Sequence, residues 1–139
     1  MVQPNPSAGY QERSHTADWA LEVWAPDLPG LLRQAARGMY ALMQVTVRAD
    51  ETEVYRFETS APDGETLLVT FLSELLYFTQ RDDVAFQRFD LTWNEERLTV
   101  EAEGAPIETL AKEIKAVTYH NLAVRETERG LEATIVFDV

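Results

Sequence analysis

At 139 residues and 45% hydrophobic content, the chain is long enough to bury one substantial core and too short to expect two independent domains. Its 24 acidic against 12 basic side chains give a formal net charge of -12, which argues against autonomous DNA or RNA binding, since that affinity comes from cations displacing counterions at phosphates. No apolar run approaches the roughly 20 residues that span a bilayer, and the N-terminus lacks the basic and apolar regions of a secretory signal, so no membrane association is expected and a cytoplasmic location is.

In chain order, residues 1–13 carry Pro4, Pro6, Ser7 and Gly9 without apolar periodicity and read as a flexible tail, leaving 14–139 as one domain. From Trp19 to Trp24 the side chains alternate in the manner of a partly buried strand. Asp27 offers an N-cap with Pro29 in the first turn, and Leu28, Leu31, Leu32, Ala35, Met39 and Met43 recur at helical spacing, which predicts an amphipathic helix over 28–44. Residues 52–59 alternate again. Asp63 caps a second helix over about 65–80, whose broad apolar surface marks it as the more deeply buried of the two.

Two alternating segments, 86–93 and 97–103, flank Asn94-Glu95-Glu96 as a hairpin, and Gly104-Ala105-Pro106 interrupts the pattern. Residues 113–120 suit either state: Ile107, Leu110 and Ile114 fit a helix, while Ile114, Ala116 and Thr118 alternate, and the β-branched content favours an extended segment. Leu122 to Arg125 reads as a strand, Glu128-Arg129-Gly130 as a turn, and Leu131 to Val139 as the last strand. The expected class is α+β, with two helices packed on a mainly antiparallel sheet.

The residues with most chemical content sit at the two ends of this core. If the first and last strands pair antiparallel, Asp18, Asp138 and a terminal carboxylate on Val139 share one edge. Clustered carboxylates repel unless positive charge compensates, so a divalent cation, calcium or magnesium, is the natural resident. Zinc is disfavoured, because the chain has no cysteine and its two histidines, His15 and His120, are far apart in sequence. The alternative is an Asp18 that hydrogen-bonds a local turn and an Asp138 on a solvated tail. Ser14, His15 and Asp18 lack the geometric definition of a triad. Lys115, in an otherwise apolar Ile-Lys-Ala-Val segment, either points into solvent or meets a phosphate, a carboxylate or a partner. Glu74 lies at the edge of the apolar stripe of its helix or is held by a partner, and His120 reads equally as a hydrogen-bonded turn residue.

Four blocks together resemble the archease family: Ser14-His15-Thr16-Ala17-Asp18, the helix Leu67-Leu68-Val69 through Ser73-Glu74-Leu75-Leu76-Tyr77, Ile114-Lys115-Ala116-Val117-Thr118-Tyr119-His120, and Phe137-Asp138-Val139. Phe71 and Ser73 depart from it, standing where Trp and Asn are expected. The resemblance spans about residues 14–139 and implies a strand–helix–strand–strand module with a second such module inserted. It also implies a non-catalytic accessory protein of the RtcB-type RNA ligase, which joins ends bearing a 2′,3′-cyclic phosphate or 3′-phosphate to a 5′-hydroxyl in tRNA splicing and RNA repair. In that family the accessory protein helps the ligase take GMP from GTP onto its active-site histidine and so turn over repeatedly. The family's metal-associated acidic positions match Asp18 and Asp138, with Val139 beside them, and its functional lysine matches Lys115; His15, Glu74 and His120 are secondary candidates. Two competing classes are a metal-dependent phosphoester hydrolase acting alone, for which no general base with a pocket is recognisable, and an assembly module without metal chemistry.

Overall fold

The computed structural model describes residues 7–13 and 19–139. In chain order the elements are β1 (Gly9–Arg13), β2 (Trp19–Ala25), α1 (Leu28–Met43), β3 (Thr46–Val47), β4 (Glu53–Ser60), α2 (Gly64–Asp82), β5 (Val84–Asn94), β6 (Arg97–Thr109), β7 (Ala116–Val117), β8 (Arg125–Thr127) and β9 (Gly130–Asp138). They form two antiparallel sheets. One runs β1-β2-β9-β7, with β8 also on β9; the other is built around β6, which pairs with β4, β5 and β3. The segment β4-α2-β5-β6 is a strand–helix–strand–strand unit inserted between α1 and the β8–β9 hairpin, so the α+β class and the nested arrangement expected from the sequence both hold.

Local chemistry sets the helix limits. Asp27, in extended backbone, accepts the Gly30 N–H at 2.8 Å, and Asp63 accepts the Thr66 N–H at 2.7 Å, each satisfying a donor the helix leaves open. Gln44 and Asp83 close the C-termini in the left-handed conformation. The core lies between the helices and the sheets, where Leu21, Leu31, Leu32, Met39, Leu67, Leu68, Phe71, Leu72, Leu75, Leu98, Ile114 and Phe137 are almost wholly buried. Inside it the Tyr40 hydroxyl and the Thr79 Oγ1 share a hydrogen bond of 2.9 Å that ties α1 to α2.

Four expectations need correction. Part of the anticipated tail is a strand: β1 lies along β2 with Tyr10 opposite Val23. Its side chains are mostly exposed, so it carries no apolar alternation; the ladder, the Arg13–Glu22 ion pair at 2.9 Å and the packing of Gly9 on Trp24 hold it. Gly104-Ala105-Pro106 does not interrupt β6. Gly104 leaves room for the Phe86 ring, which a Cβ would meet at 2.9 Å, and the Pro106 carbonyl accepts the Arg48 N–H at 2.9 Å. The strand expected over Leu122–Arg125 begins only at Arg125, because the Val124 N–H is taken by the Glu65 carboxylate at 2.7 Å rather than by a ladder. Finally, α1 and not α2 is the more deeply buried helix, with nine of its 16 residues buried against eight of 19, because it is covered by β1, β2 and β5 as well as by α2.

Candidate functional site

β2 and β9 run antiparallel with Trp19 opposite Phe137 and Ala20 opposite Val136, so the start of one and the end of the other lie at the same end of the sheet. On the far side of β9, β7 pairs Ala116 with Asp138 and Val117 with Phe137. Three chain segments therefore meet around one buried ring: Phe137, with Ile114 and Val117, faces the core, while Lys115, Ala116 and Asp138 remain exposed. The burial does not follow a two-residue period: Ile114 and Val117, three residues apart, both turn inward, with the exposed Lys115 and Ala116 between them, because only Ala116 and Val117 are in the ladder.

The backbone fixes the register of the functional residues. The Lys115 N–H donates to the Asp138 carbonyl at 2.8 Å. Thr118 reaches Val136 O twice, through its N–H at 3.0 Å and its hydroxyl at 2.9 Å. The Asp138 carboxylate, a separate group from the main-chain oxygen that Lys115 engages, makes no ion pair to any described residue. Val139 follows, 38% exposed. His120 is exposed and takes its position from the same strand: its N–H donates to Thr118 Oγ1 at 3.3 Å and its ring lies 3.3 Å from the Asn121 amide.

Lys112 is a residue that the sequence alone does not single out. Its ammonium lies 4.0 Å from the centre of the Trp19 ring, a cation–π contact, and its N–H donates to Met43 O at the end of α1. Both lysines of the chain thus serve the same sheet end. The signal available in the sequence was that these two, three residues apart, are the only lysines.

Asp18 and His15 lie outside the described residues, as do Ser14, Thr16 and Ala17. Among the described residues no three of His, Cys, Asp and Glu come together in a metal-holding group. Glu74 is half-buried on α2 and lines a surface groove with Val69, Thr70, Ser73 and Tyr77. Lys115, which precedes β7, lines a different groove against Leu76, Thr79 and Gln80, so it meets a stripe of α2 other than the one that carries Glu74.

The family described as Archease protein family (MTH1598/TM1083) matches residues 10–139, nearly the whole chain. The chain belongs to the archease family. Among curated relatives, protein archease of Methanosarcina mazei is 34% identical, the match covering 98% of this chain and 99% of that one. Protein archease of Methanosarcina acetivorans is 30% identical over 98% of this chain and 99% of its own. Two solved structures share the fold. A Thermotoga maritima archease, described as a possible chaperone, matches with a TM-score of 0.71 at 21% identity, covering 100% of this chain and 98% of that one. The solution structure of Methanobacterium thermoautotrophicum protein 1598 matches with a TM-score of 0.69 at 21% identity, covering 94% and 99%. The archease match begins within β1, which places that strand in the family's domain rather than in a preceding tail.

Proposed function

We propose that this archease-family protein is a non-catalytic accessory factor that promotes guanylylation, and hence multiple turnover, of an RtcB-type RNA ligase in tRNA splicing and RNA repair. The observation that supports it best is the meeting of Trp19, Phe137, Asp138 and Lys115 at one sheet end, which puts an open carboxylate and a lysine on the same exposed edge. Asp18 is the residue bonded to Trp19 in sequence, so its carboxylate is the natural companion of Asp138.

The donor chemistry fits a hard cation. Asp138 supplies an uncommitted carboxylate, the chain contains no thiolate, and oxygen donors are what calcium and magnesium take. Asp18, Asp138 and Val139 would hold the ion, whose contribution is to neutralise and order phosphate oxygens. Lys115, fixed through its main chain, keeps its side chain available for a phosphate or for the ligase. His120 and Lys112 flank this edge and belong with it; Glu74, on another stripe of α2, would act at a second contact with the ligase. The excess of acidic charge favours an electrostatically assisted encounter with a basic partner surface.

The deciding experiment mixes substoichiometric RtcB-type ligase with excess RNA, GTP and this protein. Many ligations per ligase support the reading. Activation by Asp138→Ala protein equal to the parent's would sink the role given to this edge, and a ligase that stays at one turnover would sink the accessory role itself.

A further inference from the structure

The basic side chains are few and unevenly used. Arg13, Arg56, Arg81, Arg97 and Arg129 are held in ion pairs with carboxylates. Arg33, Arg37 and Arg88 make none with any described residue, yet all three line one concavity of about 470 Å³ on the side of the molecule where α1 meets β5. None of its lining residues belongs to the β2–β9–β7 edge.

Each arginine is put there by a distinct device. Arg33 and Arg37 are four residues apart on α1, which stacks them on one face a turn apart. Arg33 is held by its Nε, which donates to the Phe89 carbonyl at 3.3 Å, leaving both terminal nitrogens without a partner among the described residues. Arg88 stands just after a register shift in β5, where the extra residue Gln87 displaces the ladder; such bulges re-aim the side chains beside them. The lining also carries Asp90, two residues along β5 from Arg88, with Glu101 and Glu103 on β6, Glu103 paired with Arg88 in the ladder. Glu101 is already engaged by Arg56 at 3.1 Å, so three guanidinium groups face two uncommitted carboxylates, with Val54 and Phe89 as the apolar part of the lining.

We propose that this pocket binds a small phosphorylated molecule, with Arg33, Arg37 and Arg88 on its phosphate. Guanidinium groups present fixed forks of N–H donors that match phosphate oxygens, and three of them on one concavity repel one another until an anion arrives. A small ligand fits better than a nucleic acid, because a chain of net charge -12 disfavours an extended polyanion that would reach beyond the three arginines. Asp90 and Glu103 weaken the pull on a bare phosphate and provide acceptors for a ligand that carries N–H donors as well, such as a nucleotide base.

The test is an amide-resolved NMR titration of the full chain at low ionic strength, with pyrophosphate and, separately, ADP. Saturable shifts at Arg88, Phe89 and Asp90 are expected, weakened about tenfold by Arg37→Gln and by Arg88→Gln, on the scale of one charge-assisted hydrogen bond. Glu103→Gln should tighten pyrophosphate binding several-fold, and Arg97→Gln, an arginine outside the pocket, should leave it unchanged. Tighter binding of ADP assigns the carboxylates to the base, and equal binding assigns the site to phosphate alone; both support the proposal. It is overturned if neither ligand gives saturable shifts there, or if the arginine variants, folded by circular dichroism, bind as the parent does. No ligase enters the titration, so its result is independent of the accessory role.

Discussion

The Lys115 N–H donates to the main-chain carbonyl of Asp138 at 2.8 Å, so the residue matching the family's lysine and the residue matching its acidic position are joined through backbone alone. Both side chains are exposed and neither is needed for the joint. Asp138→Asn should therefore leave the midpoint of thermal unfolding within a few degrees of the parent, as for an ordinary surface substitution of about 0.5 kcal/mol or less. It should abolish calcium or magnesium binding in calorimetry and slow ligase guanylylation. Full guanylylation with calcium binding lost would separate the metal from the function.

Lys115→Ala and Lys112→Ala should act differently. Lys115 lines a groove and makes no side-chain contact that stabilises the sheet end, so its loss is expected to reduce ligase activation with stability unchanged. Lys112 covers the Trp19 ring, and its loss should cost about 0.5–1 kcal/mol in urea unfolding, the usual worth of an exposed cation–π contact. A Lys112→Ala protein as stable as the parent would show that the contact contributes nothing.

Much of this arrangement was legible in the sequence because the framing elements carry apolar side chains at regular spacing, although β2 is buried on both faces, Ala20 and Trp24 as well as Leu21 and Val23. Trp19–Trp24, the two capped helices and the last strand all show their periods, and Asp27 and Asp63 cap where their spacing predicts. What the sequence hid is what depends on long-range pairing rather than burial. β1 exposes nearly all its side chains, β6 continues through Pro106, and Val124 is diverted by Glu65 from the far end of another element. The extended form of residues 113–120 was recoverable from β-branched content, although only Ala116 and Val117 enter the ladder. The pocket of Arg33, Arg37 and Arg88 was invisible, since the arginine pair of α1 meets Arg88 of the distant β5 beside a bulge.

The hairpin between β5 and β6 turns on Glu95 and Glu96, which have φ of 50° and 65°. Two consecutive left-handed residues match the twist of the strands, but the conformation suits Asn and Gly, and a side chain such as glutamate pays roughly 1 kcal/mol for it. Glu95→Asn with Glu96→Gly should raise stability by about 1–2 kcal/mol, read by chemical denaturation. Unchanged or lower stability would mean that the two glutamates make compensating interactions.

Gly130 opens β9 at φ 96°, and a Cβ there would lie 2.5 Å from the Ala25 carbonyl oxygen and 2.8 Å from the Pro26 Cα. Both obstacles are backbone, so they cannot rotate away. Gly130→Ala should destabilise the protein by roughly 2 kcal/mol or more, combining left-handed strain with overpacking. Because β9 carries Phe137 and Asp138, the same substitution should lower ligase activation as the protein melts, in parallel with the loss of folded fraction.

Two of the five tyrosines should ionise late. Burial pushes the Tyr40 phenol well above its usual value, more than its contacts with Thr79 and the Phe86 backbone bring it back. Tyr55 is pushed up to about 12, first by burial and then by its donation to Asp82 at 2.8 Å, with Glu53 adding and Arg81 opposing. In the unfolded chain both phenols ionise near pH 10. Folded pKa values above unfolded ones mean that the stability these groups contribute is complete below about pH 10 and is lost as the pH climbs from there toward 12. Absorbance titration at alkaline pH should show the ionisation of Tyr40 and Tyr55 delayed until the fold gives way. Tyr55→Phe should remove one delayed phenol and make the alkaline loss of stability shallower. If Tyr55 ionises near pH 10 in the folded protein, its hydrogen bond to Asp82 is not maintained in solution.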